Sequence, residues 1–326
     1  MAITISGSGI TSANIADGTI TTDDILASDV SSLKSGRKNL IINGDMRISQ
    51  RGDYSVTPKS IANNTSTYVL DRWVTYGSGT YVNASQGTTT LPNGTHAYTF
   101  KTEAVSAGGS WLHPAQYIEW DKSYRGKTIT LSCWIKTNLA GQGMRVCDGA
   151  CIVKGTIPSD ETWNYISETF TLQSDSDPAH FQVHPAFGGS TVAGSYTEFT
   201  HMQVEFGSVA TDFEHRSYGE ELALCQRYYE NNYNSGTPAH GNDQTHNAYG
   251  WEGTRSFKVE KRVAPTMTAH APWAHFSVGN WAYFNGGVWE QSTSGISGTK
   301  QGFGWSHAGV RHRYPVIGGW EANAEL

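Results

Sequence analysis

The side chains able to do chemistry are scattered, and their spacing argues mostly against catalysis. Gly304-Trp305-Ser306-His307 begins like a nucleophile turn, but Ala308 stands where the G-x-S-x-G pattern needs glycine. An adjacent Ser and His cannot replace a triad assembled in space. The acidic pairs Asp160-Glu161 and Glu220-Glu221 are sequence neighbours, whereas glycoside hydrolysis needs two carboxylates converging on one bond. The twelve histidines have no H-x-H or H-E-x-x-H spacing. Cys147-x-x-x-Cys151 has no second pair to complete a zinc site, and all four cysteines (Cys133, Cys147, Cys151, Cys225) read as half-buried thiols. Arg51-Gly52-Asp53 reads as a chance tripeptide in a surface loop. The chain is therefore expected not to be an enzyme and to hold no metal or cofactor.

Aromatics offer more. The last 95 residues hold Trp251, Trp273, Trp281, Trp289, Trp305 and Trp320. Trp281, Tyr283, Trp289 and Trp305, with Asn285 and Glu290 as hydrogen-bonding neighbours, form the patch expected to stack against a sugar, since aromatic faces suit its C–H surfaces. Packing in a core or an interface is the competing explanation for each ring.

The elements that must position such a patch are strands. The 326 residues contain 36 Gly, 12% aromatic and only 16% charged residues, a composition suited to a mainly β chain with many turns. The net charge of −6 and the lack of a large basic cluster argue against nucleic acid. No apolar run approaches a membrane span, and the N-terminus lacks the blocks of a signal peptide, so synthesis and retention in cytoplasm are expected.

Four segments follow. In residues 1–38, Ile5, Ile10, Ile15, Ile20, Ile25 and Val30 recur every five residues among turn formers. One aliphatic residue in five cannot offset backbone ordering within a single chain. The segment is therefore expected to intertwine with copies of itself or dock on a large partner, with a flexible linker as the alternative.

Residues 39–216 read as an antiparallel β-sandwich of about eight strands; Ile129, Leu131, Cys133 and Ile135 alternate along one face. Trp73, Trp111, Trp120, Trp134 and Trp163 are assigned to its core or core edge. Residues 217–231 carry the capping box Ser217-x-x-Glu220 and a helix over about 218–230. Its stripe, Leu222, Leu224, Cys225, Tyr228 and Tyr229, is expected to brace an oligomer. Residues 232–326 read as a small β domain forming a tip.

Two resemblances sharpen this. NLIINGDM, LDRW, YRGKTITLSCWIKT and ETWNYISETF resemble the jelly-roll carbohydrate-binding modules found beside glycanases, although Met46 and Thr128-Ile129 depart from their usual aromatic positions. Some such modules hold a structural calcium near the first strand, where Asp45 would be an oxygen ligand, but one carboxylate does not make a site. The run from Gln203 to Tyr229, the opening NLIINGDMRISQRG and Arg262-Val263-Ala264-Pro265-Thr266 resemble bacteriophage tail fibre and receptor-binding virion proteins, with Asp212 where those have proline. That resemblance implies a homotrimeric virion protein, assembled in the host cytoplasm. It would dock on a tail or adaptor protein through residues 1–38 and bind a cell-surface polysaccharide through a multivalent tip. The rival expectations are a tailspike depolymerase and a structural adaptor without receptor contact.

Overall fold

The computed structural model describes residues 38–106, 108–109, 111–232, 252–270, 280–285, 288–307, 316–317 and 319–326, with side chains left undescribed at 111, 252–253, 280–294, 305–307 and 316–319. The expected five-residue repeat, Ile5 to Val30, lies outside the described residues.

Twelve strands build the sandwich: β1 (Lys59–Ile61), β2 (Ser66–Tyr68), β3 (Val74–Ser78), β4 (Val82–Thr90), β5 (His96–Ala104), β6 (Trp111–Glu119), β7 (Thr128–Thr137), β8 (Gln142–Cys147), β9 (Cys151–Lys154), β10 (Asn164–Thr171), β11 (His180–Gly188) and β12 (Tyr196–Phe206). They form two six-stranded antiparallel sheets, β1-β4-β5-β12-β7-β10 (sheet A) and β2-β3-β6-β11-β8-β9 (sheet B). More strands are present than the expected eight because short edge strands and the β4 run, VNASQGTTT, carry little apolar alternation. The alternation read in β7 holds: Ile129, Leu131, Cys133 and Ile135 are buried between the sheets. Phe100, Phe199 and Trp73 meet edge to face, with centroids 5.8 and 5.0 Å apart. Each such ring contributes about 1.5–3 kcal/mol by burial.

The NLIINGDM opening is not a strand but a run of turns locked by one side chain. Buried Asn43 donates to the carbonyls of Ile48 (2.8 Å) and Asp71 (3.0 Å) and accepts from the Ile48 amide (2.8 Å). Asn43 and Met46 adopt positive φ of 58° and 59°, so no strand can run through them. Gly44 is required by approach: a Cβ there would lie 2.3 Å from the Met202 carbonyl oxygen. Met202 sits at a register break in β12, between Thr200 and Gln203, and its amide donates to the Gly44 carbonyl.

Helix α1 (Tyr218–Gln226) starts as expected, with Ser217 accepting from the Glu220 amide at 3.3 Å. It stops four residues before the expected Glu230. The carbonyls of Arg227 and Tyr228 accept instead from the amides of Arg262 (3.0 Å) and Ala324 (2.7 Å), drawing the chain into a strand. Cys225, Tyr228 and Tyr229 are buried within this chain, while Leu222 and Leu224 are half-buried.

The C-terminal strands are β13 (Tyr229–Asn231), β14 (Glu252–Ser256), β15 (Thr266–His270), β16 (Asn280–Asn285), β17 (Val288–Gly298), β18 (Gly302–His307), β19 (Val316–Ile317) and β20 (Gly319–Asn323). They form the sheets β13-β20-β15 and β14-β18-β17-β16-β19 around Phe257, Phe303, Trp320 and Ala322. Buried Lys261 pairs with Glu230 at 2.6 Å beneath them. The chain end then returns to the sandwich. Glu325 pairs with Arg51 and Arg72, and Tyr68 donates to the Leu326 carbonyl oxygen at 2.9 Å.

Cys147 and Cys151 form a disulfide rather than two free thiols. The turn Asp148–Ala150 places them directly opposite each other in the β8–β9 hairpin, a pairing that bare spacing did not reveal. Cys133 and Cys225 are buried thiols, and burial pushes both pKa values up.

Candidate functional site

The outward face of sheet A gathers the rings and polar groups that could hold a ligand. Register sets Lys101 of β5 beside Glu198 of β12, and Glu198 beside Lys136 of β7. Lys136 pairs with Glu198 at 2.9 Å, Thr99 donates to the other Glu198 oxygen at 2.7 Å, and Lys101 pairs with Glu103 at 2.5 Å. Neutralised this way, the lysines sit over rings: Lys101 4.7 Å from the Tyr196 centroid and Lys136 5.1 Å from that of Trp163.

The neighbouring row is aromatic. Trp134 of β7 lies directly opposite Tyr165 of β10, ring centroids 5.5 Å apart and tilted by 58°. Tyr165 is 46% exposed, and Trp134 is half-buried. At the end of the row the Tyr196 hydroxyl donates to Glu161 at 3.4 Å. Burial, and then the Glu161 and Glu198 charges, push Tyr196 up to about 12, so it stays a neutral donor at neutral pH. Glu161 itself sits at φ +59°, a conformation few non-glycine residues adopt. On β4, Gly87 leaves open the space above Thr99, whose hydroxyl oxygen lies 2.8 Å from where a Cβ would be.

This surface offers ring faces of Trp134, Trp163, Tyr165 and Tyr196 with hydroxyl, ammonium and carboxylate groups between them. Such a set suits a polyhydroxylated ring: C–H faces stack on the aromatics while hydroxyls exchange hydrogen bonds with the polar row. The Lys101–Glu103 pair, 34% and 41% exposed, contributes little to stability, so that end of the row is not explained by the fold's needs.

Several expected assignments change. Trp134 faces outward, because the alternation of β7 turns Cys133 and Ile135 inward, and Trp163 is half-buried; Trp73 lies in the core and Trp120 packs at its edge, as expected. The Trp73 indole donates to the Asn43 carbonyl at 2.9 Å. Tyr165, Tyr196 and the Lys101–Glu198–Lys136 row escaped sequence reading because strand order, not alternation, brings them together.

Of the expected tip patch, the backbone is described and the side chains are not. Trp281, Tyr283 and Asn285 lie in β16, and Trp289 and Glu290 in the paired β17, with Tyr283 opposite Glu290. Trp305 lies in β18 opposite Ile296 of β17, so Gly304-Trp305-Ser306-His307 is an extended strand and not an elbow. Arg51-Gly52-Asp53 lies in irregular chain with Asp53 exposed, as expected, but the Arg51 guanidinium is tied down: it pairs with Glu325 and lies 3.7 Å from the Tyr229 ring centroid. Asp45 pairs with Arg47 at 3.3 Å, and among the described residues no group of three or more metal-ligating side chains converges. Glu221 is buried against the Asn43 amide and Arg216, away from the exposed Asp160, so the acidic pairs do not meet. No helix among the described residues is long and apolar enough to cross a membrane.

No family model matches the chain, and no curated protein matches it. Among solved structures it is similar to the enzymatically active domain of bacteriophage CBA120 tailspike protein 4 (15% identity, TM-score 0.34). That match covers 52% of this chain and 21% of the tailspike chain. A CBM4 structure is 16% identical at TM-score 0.33, over 51% of this chain and 98% of its own. The CBM22-1 xylan-binding domain of Paenibacillus barcinonensis Xyn10C is 14% identical at TM-score 0.30, over 50% and 99%. The chain thus spans about a fifth of the tailspike it matches. Likenesses this distant carry no weight for function, which must be argued from the site.

Proposed function

We propose that this chain binds a polysaccharide through the outward face of sheet A, and that it does so as a structural subunit of a bacteriophage tail fibre. The observation that carries the binding reading is the outward row of Trp163, Tyr196, Trp134 and Tyr165 interleaved with Lys101, Glu198, Lys136 and Glu161. Its charges are satisfied within the sheet, which suits a ligand rich in hydroxyls. The virion reading rests on the resemblance of the opening and of the helix junction to tail fibre proteins. In it the chain is a homotrimer, residues 1–38 dock on a tail or adaptor protein, and three weak sites gain avidity by acting together. The C-terminal unit, with Trp281, Tyr283, Asn285, Trp289, Glu290 and Trp305, is in this reading a second contact with the cell, separate from the oligosaccharide site on sheet A.

The chain acts without catalysis in this reading. The test is to incubate the full chain with purified surface polysaccharides of candidate hosts, measuring retention and new reducing ends together. Retention without new ends is expected. New reducing ends would make it a depolymerase, and no retention on any polysaccharide or cell would leave a structural adaptor. The sedimentation mass of the full chain is expected to be that of a trimer; a monomer would contradict the fibre reading.

A further inference from the structure

The outward face of sheet B carries a different chemistry, centred on one arginine. Arg47, Arg51, Arg72, Arg125, Arg216 and Arg227 each pair with a carboxylate. Arg145 does not. Its only hydrogen bond runs from Nη2 to the disulfide sulfur of Cys151 at 2.8 Å, and its guanidinium carbon lies 3.9 Å from the Phe187 ring centroid. Sulfur is a weak acceptor, so a five-donor cation is left with little to donate to. This happens in a chain whose net charge is −6, where acidic partners are plentiful.

Two histidines converge on the same place. His184 of β11 is paired in register with Arg145 of β8, and its ring lies 5.5 Å from that of His113 on β6. His184 is buried and forms the floor. Half-buried His113, Tyr76 of β3, Phe187 and Arg145 form the rim: Tyr76 lies 4.9 Å and Phe187 5.6 Å from the His113 centroid. From β9 the group facing Arg145 is the disulfide. Burial, joined by the Arg145 charge, holds His113 down at about 4, and burial holds His184 well below its usual range. Arg145, the full cation of the cluster, has no carboxylate partner among the described residues.

We propose that Arg145, His113 and His184 form a binding site for an anionic oxygen group, a carboxylate or a sulfate, carried on a ligand whose apolar face rests on Phe187 and Tyr76. An acidic sugar has both parts. Arg145 supplies a planar fork that matches two anionic oxygens, the geometry for which arginine is preferred. The His113 imidazole at the rim supplies a donor, His184 backs it from below, and a bound anion raises the affinity of these rings for protons. The site lies on the sheet opposite the platform and does not depend on the platform reading.

The test is calorimetric titration of the full chain at pH 6 and fixed ionic strength with methyl glucuronoside, sodium sulfate and methyl glucoside. Saturable binding of one or both anions, with none of the neutral glycoside at this site, is expected. Arg145→Met should weaken it at least tenfold, while Trp163→Ala on the platform should leave it unchanged. Binding should also be accompanied by proton uptake, read from its dependence on buffer ionisation heat, which requires no variant to fold. Absence of saturable anion binding, equal binding by Arg145→Met, or binding without proton uptake would overturn the proposal.

Discussion

The same three kinds of side chain, cation, carboxylate and aromatic ring, meet in two regions of this protein with opposite consequences. At the junction of sandwich, helix and chain end, Arg72 and Glu325 are 1% and 4% exposed, and the Arg72 guanidinium lies 3.6 Å from the Tyr228 ring centroid. On the outward face of sheet A, Lys101 and Glu103 are 34% and 41% exposed, with Tyr196 beneath. Water screens the second set, so its pairs hold little folding energy and stay available to a ligand. Water is excluded from the first set, so removing either partner strands a buried charge. Burial, and not residue type, separates the structural cluster from the candidate binding surface.

The largest expected effect breaks the junction. Glu325→Ala should destabilise the chain by about 3–5 kcal/mol, because Arg72 keeps its charge in a buried site. Urea unfolding at neutral pH would read this as a lowered midpoint.

The next prediction uses pH. Buried Asp71 sits beside this junction, and burial raises it to about 6 even though the Gln50 amide donates to it at 2.6 Å. A carboxyl whose folded pKa is raised contributes most below its unfolded value near 4, and that contribution is lost as pH climbs to 6. Buried His201 and half-buried His113, both held down at about 4, act the other way: their contribution is present above about 6.5 and is lost as pH falls toward 4. The two slopes oppose each other in the native chain. Asp71→Asn should leave the histidine slope uncovered, so unfolding stability should rise more steeply between pH 4 and 6.5, by roughly 1–3 kcal/mol across the window.

Gly44→Ala should cost about 1–3 kcal/mol, because the Met202 carbonyl blocks the new Cβ and the bulge in β12 must shift. Thermal unfolding would show it. The smallest effect on folding belongs to the platform. Lys101→Met should change stability by less than about 1 kcal/mol, since its pair with Glu103 is exposed, yet weaken glycan retention. A large loss of stability there would erase the contrast between the regions.

Much of the fold was legible in the amino-acid order. The alternation of Ile129, Leu131, Cys133 and Ile135 announced a half-buried strand, and Ser217-x-x-Glu220 announced the helix start. What escaped was set by partners distant in sequence. The opening became turns because Asn43 bonds to Ile48 and Asp71 and because Met202 occupies the space above Gly44. The helix ended early because Arg262 and Ala324 claim the carbonyls of Arg227 and Tyr228, just past its last residue. The Cys147–Cys151 bond depends on hairpin register. The platform was hidden for the same reason: Glu198 is over 60 residues from Lys136 in the chain, and only the strand order β5-β12-β7-β10 makes one surface of them.

The most direct test of the account is titration of the full chain with the best-retained oligosaccharide, comparing Trp163→Ala and Tyr165→Ala with Trp281→Ala and Trp289→Ala. The account predicts that either platform substitution weakens binding about tenfold, the equivalent of about 1.4 kcal/mol, and that the C-terminal substitutions leave it intact. Undiminished binding in both platform variants, with loss in the C-terminal ones, would contradict it and move the site to the β16–β17 hairpin.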